Sequence, residues 1–376
     1  MRKLFTALLA AGGLALAGSA APAAAATATP RAAAITTVTS GLDNPRGLAF
    51  LPNGTLAVAE AGHGGDVCIN GGAVCIGTSS QVSTINLANG THTPLVTGLF
   101  SLTLVSEGAT LGVGGLSVQG GRLLAIEGEY PQQLAGVTCA GQPSDCPQVL
   151  AAARATAGTL AKVTPSGHWQ TIAGVGAFDF QWTVDQAIPG AELDSNPYGL
   201  LGLPGRTYVA DAGSNTLDSV GANGRITVLH RFPNPVPAEP FPTDGVPTCA
   251  ALTPSGQLYV ADLAGRIWRM TNGGTAATQV LPATSGLHFT GCAADPAGNV
   301  YFVSIFSGTP FPSPLSGSVV KLTPAGAIST VVSGLNFPNK PAIGPDGSLY
   351  VSVNSVCPAT PGPCGPATGS VIRISP

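Results

Sequence analysis

The sequence predicts an all-β chain, a six-bladed β-propeller closed by its own N-terminal strand. Three observations lead there. One hairpin is repeated six times with a single offset, a second hairpin stands behind five of the six, and the two ends of the chain match each other. The composition agrees: Gly (51) and Pro (33) are abundant and only 9% of residues are charged, which suits many short strands joined by many turns rather than disorder.

The six repeats are GLAFLPNGTLAVAE (47–60), GGLSVQGGRLLAIE (114–127), GLLGLPGRTYVAD (199–211), CAALTPSGQLYVAD (249–262), CAADPAGNVYFVS (292–304) and PAIGPDGSLYVSV (341–353). In each, a turn glycine (Gly54, Gly121, Gly205, Gly256, Gly298, Gly347) precedes the last strand residue by six positions. The hairpins behind them are VSTINLANGTHTPLV, LAKVTPSGHWQTIA, LDSVGANGRITVLH, IWRMTNGGTAATQVL and VVKLTPAGAISTVV, with N-G and P-x-G turns. Two hairpins make a four-stranded blade, and radial repetition is the economical reading of such a period. The strands alternate poorly between apolar and polar, as sheets buried on both faces do.

The sixth unit lacks an outer strand, because the chain ends after GSVIRISP. The segment AITTVTSGL (34–42) aligns without gaps to AISTVVSGL (327–335), the outer strand of the fifth unit. It therefore completes the last blade and removes an open edge. The expected organisation is one domain over residues 27–376, with blades starting near residues 45, 112, 196, 246, 289 and 339.

Residues 1–26 read as a bacterial Sec-type signal peptide: Arg2 and Lys3, an apolar run from Leu4 to Ala17, then small residues from Ser19 to Ala26. The run is short for a membrane span, so no membrane anchor is expected after cleavage and the chain reads as secreted. Cleavage lowers the 15 basic residues to 13 against 18 acidic ones, a net charge of −5. That balance argues against nucleic acid or an anionic membrane as partner.

An exported chain with eight cysteines suggests disulfides. Cys68 and Cys75, Cys139 and Cys146, and Cys357 and Cys364 each lie seven apart; Cys249 and Cys292 open neighbouring inner strands and either bridge them or remain small buried residues. No C-x-x-C zinc spacing occurs.

Blade geometry places the short glycine turns on one face and the long insertions (61–81, 128–157, 305–316, 354–368) on the other, with the connections 178–195 and 232–246. That loop face is the expected working surface. Phe178, Phe180 and Trp182 could stack a ring-shaped or glycan ligand or else pack their loop onto a blade; His63 and His288 lie nearby. The strand ends Glu60, Glu127, Asp211 and Asp262 ring the channel mouth, with Asn44, Asn196 and Asp244 beside them. They could hold a divalent cation such as calcium, or cap the turns that follow them. Ser304 and Val353 interrupt the ring, as a capping role permits. No G-x-S-x-G, H-E-x-x-H or phosphate-loop motif is present.

The G-x-L-Y-V-A-D strand endings, the P-x-G turns and the opening SGLDNPRGLAFLPNG resemble NHL-type propellers, and more narrowly the secreted ScyD/ScyE family. The resemblance runs through the whole mature chain. It implies the propeller fold and export but no defined activity. The functional reading is a secreted, monomeric binding protein that takes a small molecule, glycan or protein on its loop face. The alternative is a metal-dependent, lactonase-like hydrolase or a lyase with a carboxylate-ringed mouth.

Overall fold

A computed structural model describes residues 34–106, 108–129, 131–235, 244–282, 286–307, 314–356 and 369–375. The expected signal peptide and the Cys357/Cys364 pair lie outside these residues. Six antiparallel sheets form the chain, five of four strands and one, blade 1, enlarged to six. The inner strands are Pro45–Phe50, Val113–Gln119, Pro197–Leu203, Pro247–Leu252, Leu287–Ala294 and Pro341–Ile343. They pack side by side in that order and the sixth returns to the first, closing a ring.

Closure works as the matching ends imply. Ala34–Leu42 pairs antiparallel with Gly369–Ser375, from Ala34 opposite Ser375 to Leu42 opposite Gly369. Blade 6 thus has the strand order that the other blades reach without help, and no seam is left.

The core is distributed rather than central. Each pair of adjacent blades encloses its own apolar cluster, such as Leu42, Leu48, Val58, Ala342 and Val371 between blades 6 and 1. Between blades 3 and 4 stand Tyr208, Leu217, Phe232, Val260 and Trp268. This is why the strands do not alternate: both faces of every blade are buried. The inner strands approach so closely that side chains are excluded at some points. A Cβ on Gly199 would lie 2.6 Å from the Thr248 carbonyl oxygen, and one on Gly291 2.6 Å from that of Asn339.

Among the described residues there are three disulfides. Cys68–Cys75 and Cys139–Cys146 staple the loop-face insertions, and Cys249–Cys292 joins the inner strands of blades 4 and 5. The insertions are more regular than a loop reading expects. Helix α1 (Cys146–Thr156) occupies the second one, and α2 (Val175–Gln186) takes in most of the aromatic segment. The outer strands of blade 1 run on as Val74–Ile85 and His92–Leu104 and gain the short partners Val67–Ile69 and Ala109–Leu111. Val149, Leu150 and Ala153 of α1 bury against Val67, Ile76, Phe100 and Leu102 of that extension, a second layer above the loop face. Among the described residues no helix is long and apolar enough to cross a membrane.

Candidate functional site

A defect shared by the blades builds the site. The inner strand of each of blades 1 to 5 slips register near its start, and the unpaired residue there is Arg46, Gly114, Tyr198, Thr248 or Thr290. In blade 6 Asn339 holds the matching place and stands with Lys340 opposite Ser352: the Asn339 N–H donates to the Ser352 carbonyl (2.9 Å), the Lys340 N–H donates to the Ser352 hydroxyl (3.1 Å), and the Lys340 carbonyl accepts from the Ser352 N–H (3.3 Å). A bulge re-aims the side chain it carries. Around the propeller axis Arg46, Gly114, Tyr198, Thr248 and Thr290 line a cavity of about 220 Å³.

The cavity lies on the loop face. Its wall is apolar, made by Ala61, Ala212 and Leu263 just after the second strands of their blades, by Ile305 and Phe306 near the end of that of blade 5, and by Leu104, Ala109 and Leu111 of the blade 1 extension. Its base is polar and braced across the axis. The Lys340 ammonium donates to the carbonyls of Tyr198 (3.1 Å) and Thr248 (3.0 Å) and sits 3.7 Å from the Tyr198 ring centre. The Tyr198 hydroxyl donates to Asn339 Oδ1 (2.6 Å), and Thr290 Oγ1 donates to the Asn339 carbonyl (3.0 Å). Arg46 donates through Nη2 to the Thr110 carbonyl (2.7 Å).

This base carries positive charge with no anion beside it. The ion pairs among the described residues are His63–Asp43, Arg266–Asp262 and Arg373–Asp346, none of which reaches the axis. Burial holds the Lys340 ammonium well below the usual lysine range, and the neighbouring Arg46 charge lowers it further. Burial raises the Tyr198 phenol, against the pull of Arg46 and Asn339.

The four strand-end acids stand one residue behind the cavity wall and point elsewhere. Glu60 accepts from the Asp43 backbone N–H (2.8 Å), from Gln81 Nε2 (2.8 Å) and from the Ser83 hydroxyl. Asp211 takes the N–H groups of Asn196, Gly213 and Ser214 at 2.8 to 3.0 Å, with the Ser195 hydroxyl on its other oxygen. Asp262 holds the N–H and Nε of Arg266 and the Trp268 indole N–H. Glu127 is fully buried, and burial raises its carboxyl well above the ordinary value against the pull of the nearby Thr156 side chain. In blade 5 the place belongs to Ser304, which accepts from the His288 N–H, and in blade 6 to Val353, opposite Ser370.

These acids serve separate turns, and among the described residues no three His, Cys, Asp or Glu side chains are grouped to hold a metal ion. The oxygens of Glu60, Asp211 and Asp262 are already occupied by the chain's own donors. The donor set at the mouth does not fit a divalent cation.

The remaining sequence candidates scatter. His63 is half-exposed and bonds through Nδ1 to the Asp43 carboxylate. His288 contacts the Leu263 carbonyl through Nδ1 (2.9 Å) and packs 4.4 Å from the Phe306 ring, so it stands directly behind the cavity wall. Phe178, Phe180 and Trp182 lie on α2 and do not line the cavity. Asp179 on the same helix is fully buried, and its carboxyl meets those of Asp211 and Asp218.

Arg46, Tyr198 and Lys340 were not singled out by the motif search. A faint signal exists in DNPRG, SNPYG and FPNKP, where the residue after the first proline varies from blade to blade as Arg46, Tyr198 and Asn339, with Lys340 following the last. Variation at a structurally equivalent position in a repeat marks the place that does not serve the scaffold.

No family profile and no curated protein matches the chain. Solved structures do. A structural genomics protein of unknown function from Bacteroides thetaiotaomicron superposes with a TM-score of 0.56 at 12% identity, over 92% of this chain and 76% of that one. A gluconolactonase from Xanthomonas campestris gives 0.53 at 11%, over 91% and 90%. Regucalcin from Agrobacterium tumefaciens, a calcium-binding protein, gives 0.53 at 15%, over 90% and 92%. These likenesses show the fold. At such identities they do not carry an activity.

Proposed function

We propose that the chain is an exported propeller that binds a small, mainly apolar molecule in the axial cavity on its loop face. The observation that carries this reading is the cavity itself. An apolar wall stands over a base of convergent polar groups supplied by several blades, the composition that recognition sites share. Its volume of about 220 Å³ lies under the roughly 300–1,000 Å³ of drug-sized sites, so the ligand is small. The three disulfides support an oxidising destination. The N-terminal segment and strand endings support kinship with the ScyD/ScyE group, whose lack of a defined activity accords with a binding role.

Thermal-shift and ligand-observed NMR screening of apolar fragments tests the reading, with Ala212→Phe as the blocking variant. Fragments should bind the native protein and lose binding in the variant at unchanged stability. Binding that survives in Ala212→Phe would place the ligand elsewhere.

The second reading, a metal-dependent lactone hydrolase, is favoured by the shared fold of the gluconolactonase. It requires a cation that the mouth carboxylates are not arranged to take. Elemental analysis of the purified protein, with lactone hydrolysis before and after chelation, decides it. One bound divalent ion per chain and chelator-sensitive turnover would establish it.

A further inference from the structure

We propose that the axial cavity selects a small molecule bearing one carboxylate on an apolar body, with the carboxylate seated against Arg46. The proposal rests on the cavity being the binding site and adds the chemistry of the occupant.

Arg46 is the one side chain lining the cavity that carries a charge at neutral pH, and only 6% of it is exposed. Its Nη2 donates to the Thr110 carbonyl, and the Tyr198 phenol lies within side-chain hydrogen-bonding reach of the guanidinium. Among the described residues no carboxylate pairs with the guanidinium fork, which matches a carboxylate in two-point geometry. Lys340, 8% exposed, stands beside it, and its ammonium donates to the backbone carbonyls of Tyr198 and Thr248. Buried cations are normally paired with an acid. Arg266 shows what this chain does when it needs that: Asp262 meets its Nε at 2.7 Å. At the axis two cations are brought together from the adjoining blades 1 and 6, and among the described residues no acid pairs with either.

The surroundings define the rest of the ligand. Thr248 and Thr290 spend their hydroxyls on the carbonyls of Phe289 and Asn339, so they offer little to a sugar. Above them the wall is Leu, Ile, Phe and Ala. A polyol would lose its hydration there without replacement, whereas an aliphatic or aryl group gains from burial. A doubly charged phosphate ester is poorly served by the same wall.

The test compares matched probes on the full mature protein by calorimetry: hexanoate against hexanamide, and benzoate against benzamide. Each acid should bind roughly 10- to 100-fold more tightly than its amide. Arg46→Gln should bring acid and amide to equal affinity, while Arg46→Lys should keep part of the preference. Should the glutamine variant fail to fold, the acid-to-amide ratio in the native protein still decides. Acids and amides bound equally, with Ala212→Phe abolishing both, would overturn the anion preference and leave the cavity reading standing. Acids preferred equally in the native protein and in Arg46→Gln would overturn the assignment of Arg46. No binding of any probe would overturn both readings.

Discussion

The Lys340 ammonium lies 3.7 Å from the centre of the Tyr198 ring, although the two residues are 142 positions apart and belong to blades on opposite sides of the axis. The contact is one strut of a brace that includes Tyr198 Oη to Asn339 Oδ1 and Lys340 Nζ to the Thr248 carbonyl. It fixes the cavity base to three blades at once. Tyr198→Phe keeps the ring under the ammonium and removes only the hydroxyl, leaving Asn339 Oδ1 unpaired. A loss of about 1–3 kcal/mol in urea denaturation is expected. Tyr198→Leu should lose more, since the cation–π contact goes too. Equal stability of Tyr198→Phe and the native chain would mean that the brace is not held by that bond.

Stability should fall as pH rises from about 5.5 to about 8.5, the reverse of the behaviour of most ion-paired proteins. The cause is the acid group between blades 2 and 3. Burial, then the charges of Asp194 and Asp211, pushes Glu129 up to about 8. Burial and Asp211 raise Asp194 to about 6, and burial raises Asp262 to about 6 despite Arg266. Burial and neighbouring acids also lift Asp179 and Asp218 well above the usual range. A folded-state value above the unfolded one means stability that is complete below the unfolded value and lost as pH climbs through the folded one. Lys340, His230 and Asp346 act oppositely: their depressed values mean stability lost as pH falls. The buried acids, Glu129 with its value of about 8 above all, set the trend across this window. Glu129→Gln should raise the Tm at about pH 8.5 and change it little at about pH 5.5. A Tm that increases steadily across the range would rule this out.

The fold was legible because its signals are local and repeated. Turn glycines at a constant offset and two matching termini are visible in a string of letters, and both reappear as structure. The site was less so. Glu60, Asp211 and Asp262 drew notice as carboxylates at a channel mouth, yet their atoms go to backbone N–H groups one turn away, which a list of residue types does not distinguish from ligation. Arg46 and Lys340 drew none, because their meaning depends on the first and last blades, nearly 300 positions apart in sequence, lying side by side in the closed ring. Helices α1 and α2 were read as loops since Gly and Pro surround them and propeller insertions carry no period of their own.

Breaking the Cys249–Cys292 bridge should cost more than breaking either short staple. It closes a separation of 43 residues, against seven for Cys68–Cys75 and Cys139–Cys146. The chain-entropy relation gives about 4 kcal/mol for the long loop and about 2.5 kcal/mol for the short ones. Cys249→Ala/Cys292→Ala should therefore have the lowest denaturation midpoint of the three double variants. Limited proteolysis adds a second readout. Loss of Cys139–Cys146 should expose the α1 insertion to cleavage while the six blades stay intact. Equal midpoints for all three variants would show that the inner-strand bridge adds nothing beyond the packing of Phe289, Phe302 and Ile267 around it.

Removing the closing strand should change association rather than merely lower stability. Residues Ala34–Leu42 supply every outer partner of Gly369–Ser375, and Leu42 is buried with Leu48, Leu56 and Val371 between blades 6 and 1. A chain starting at Asp43 keeps five complete blades but presents a bare, β-rich edge carrying Val371, Ile372 and Ile374. Such an edge pairs with whatever strand is offered, including that of another copy. Size-exclusion chromatography should show oligomers or aggregates for this truncation and a single species for the chain that retains residues 34–42. Adding the peptide Ala34–Leu42 in trans should return the truncated protein to that single species, because the peptide restores the same ladder without covalent connection. A truncated chain that stays monodisperse and fully stable without the peptide would mean that the ring holds by inter-blade packing alone, and the matching termini would then be incidental to closure.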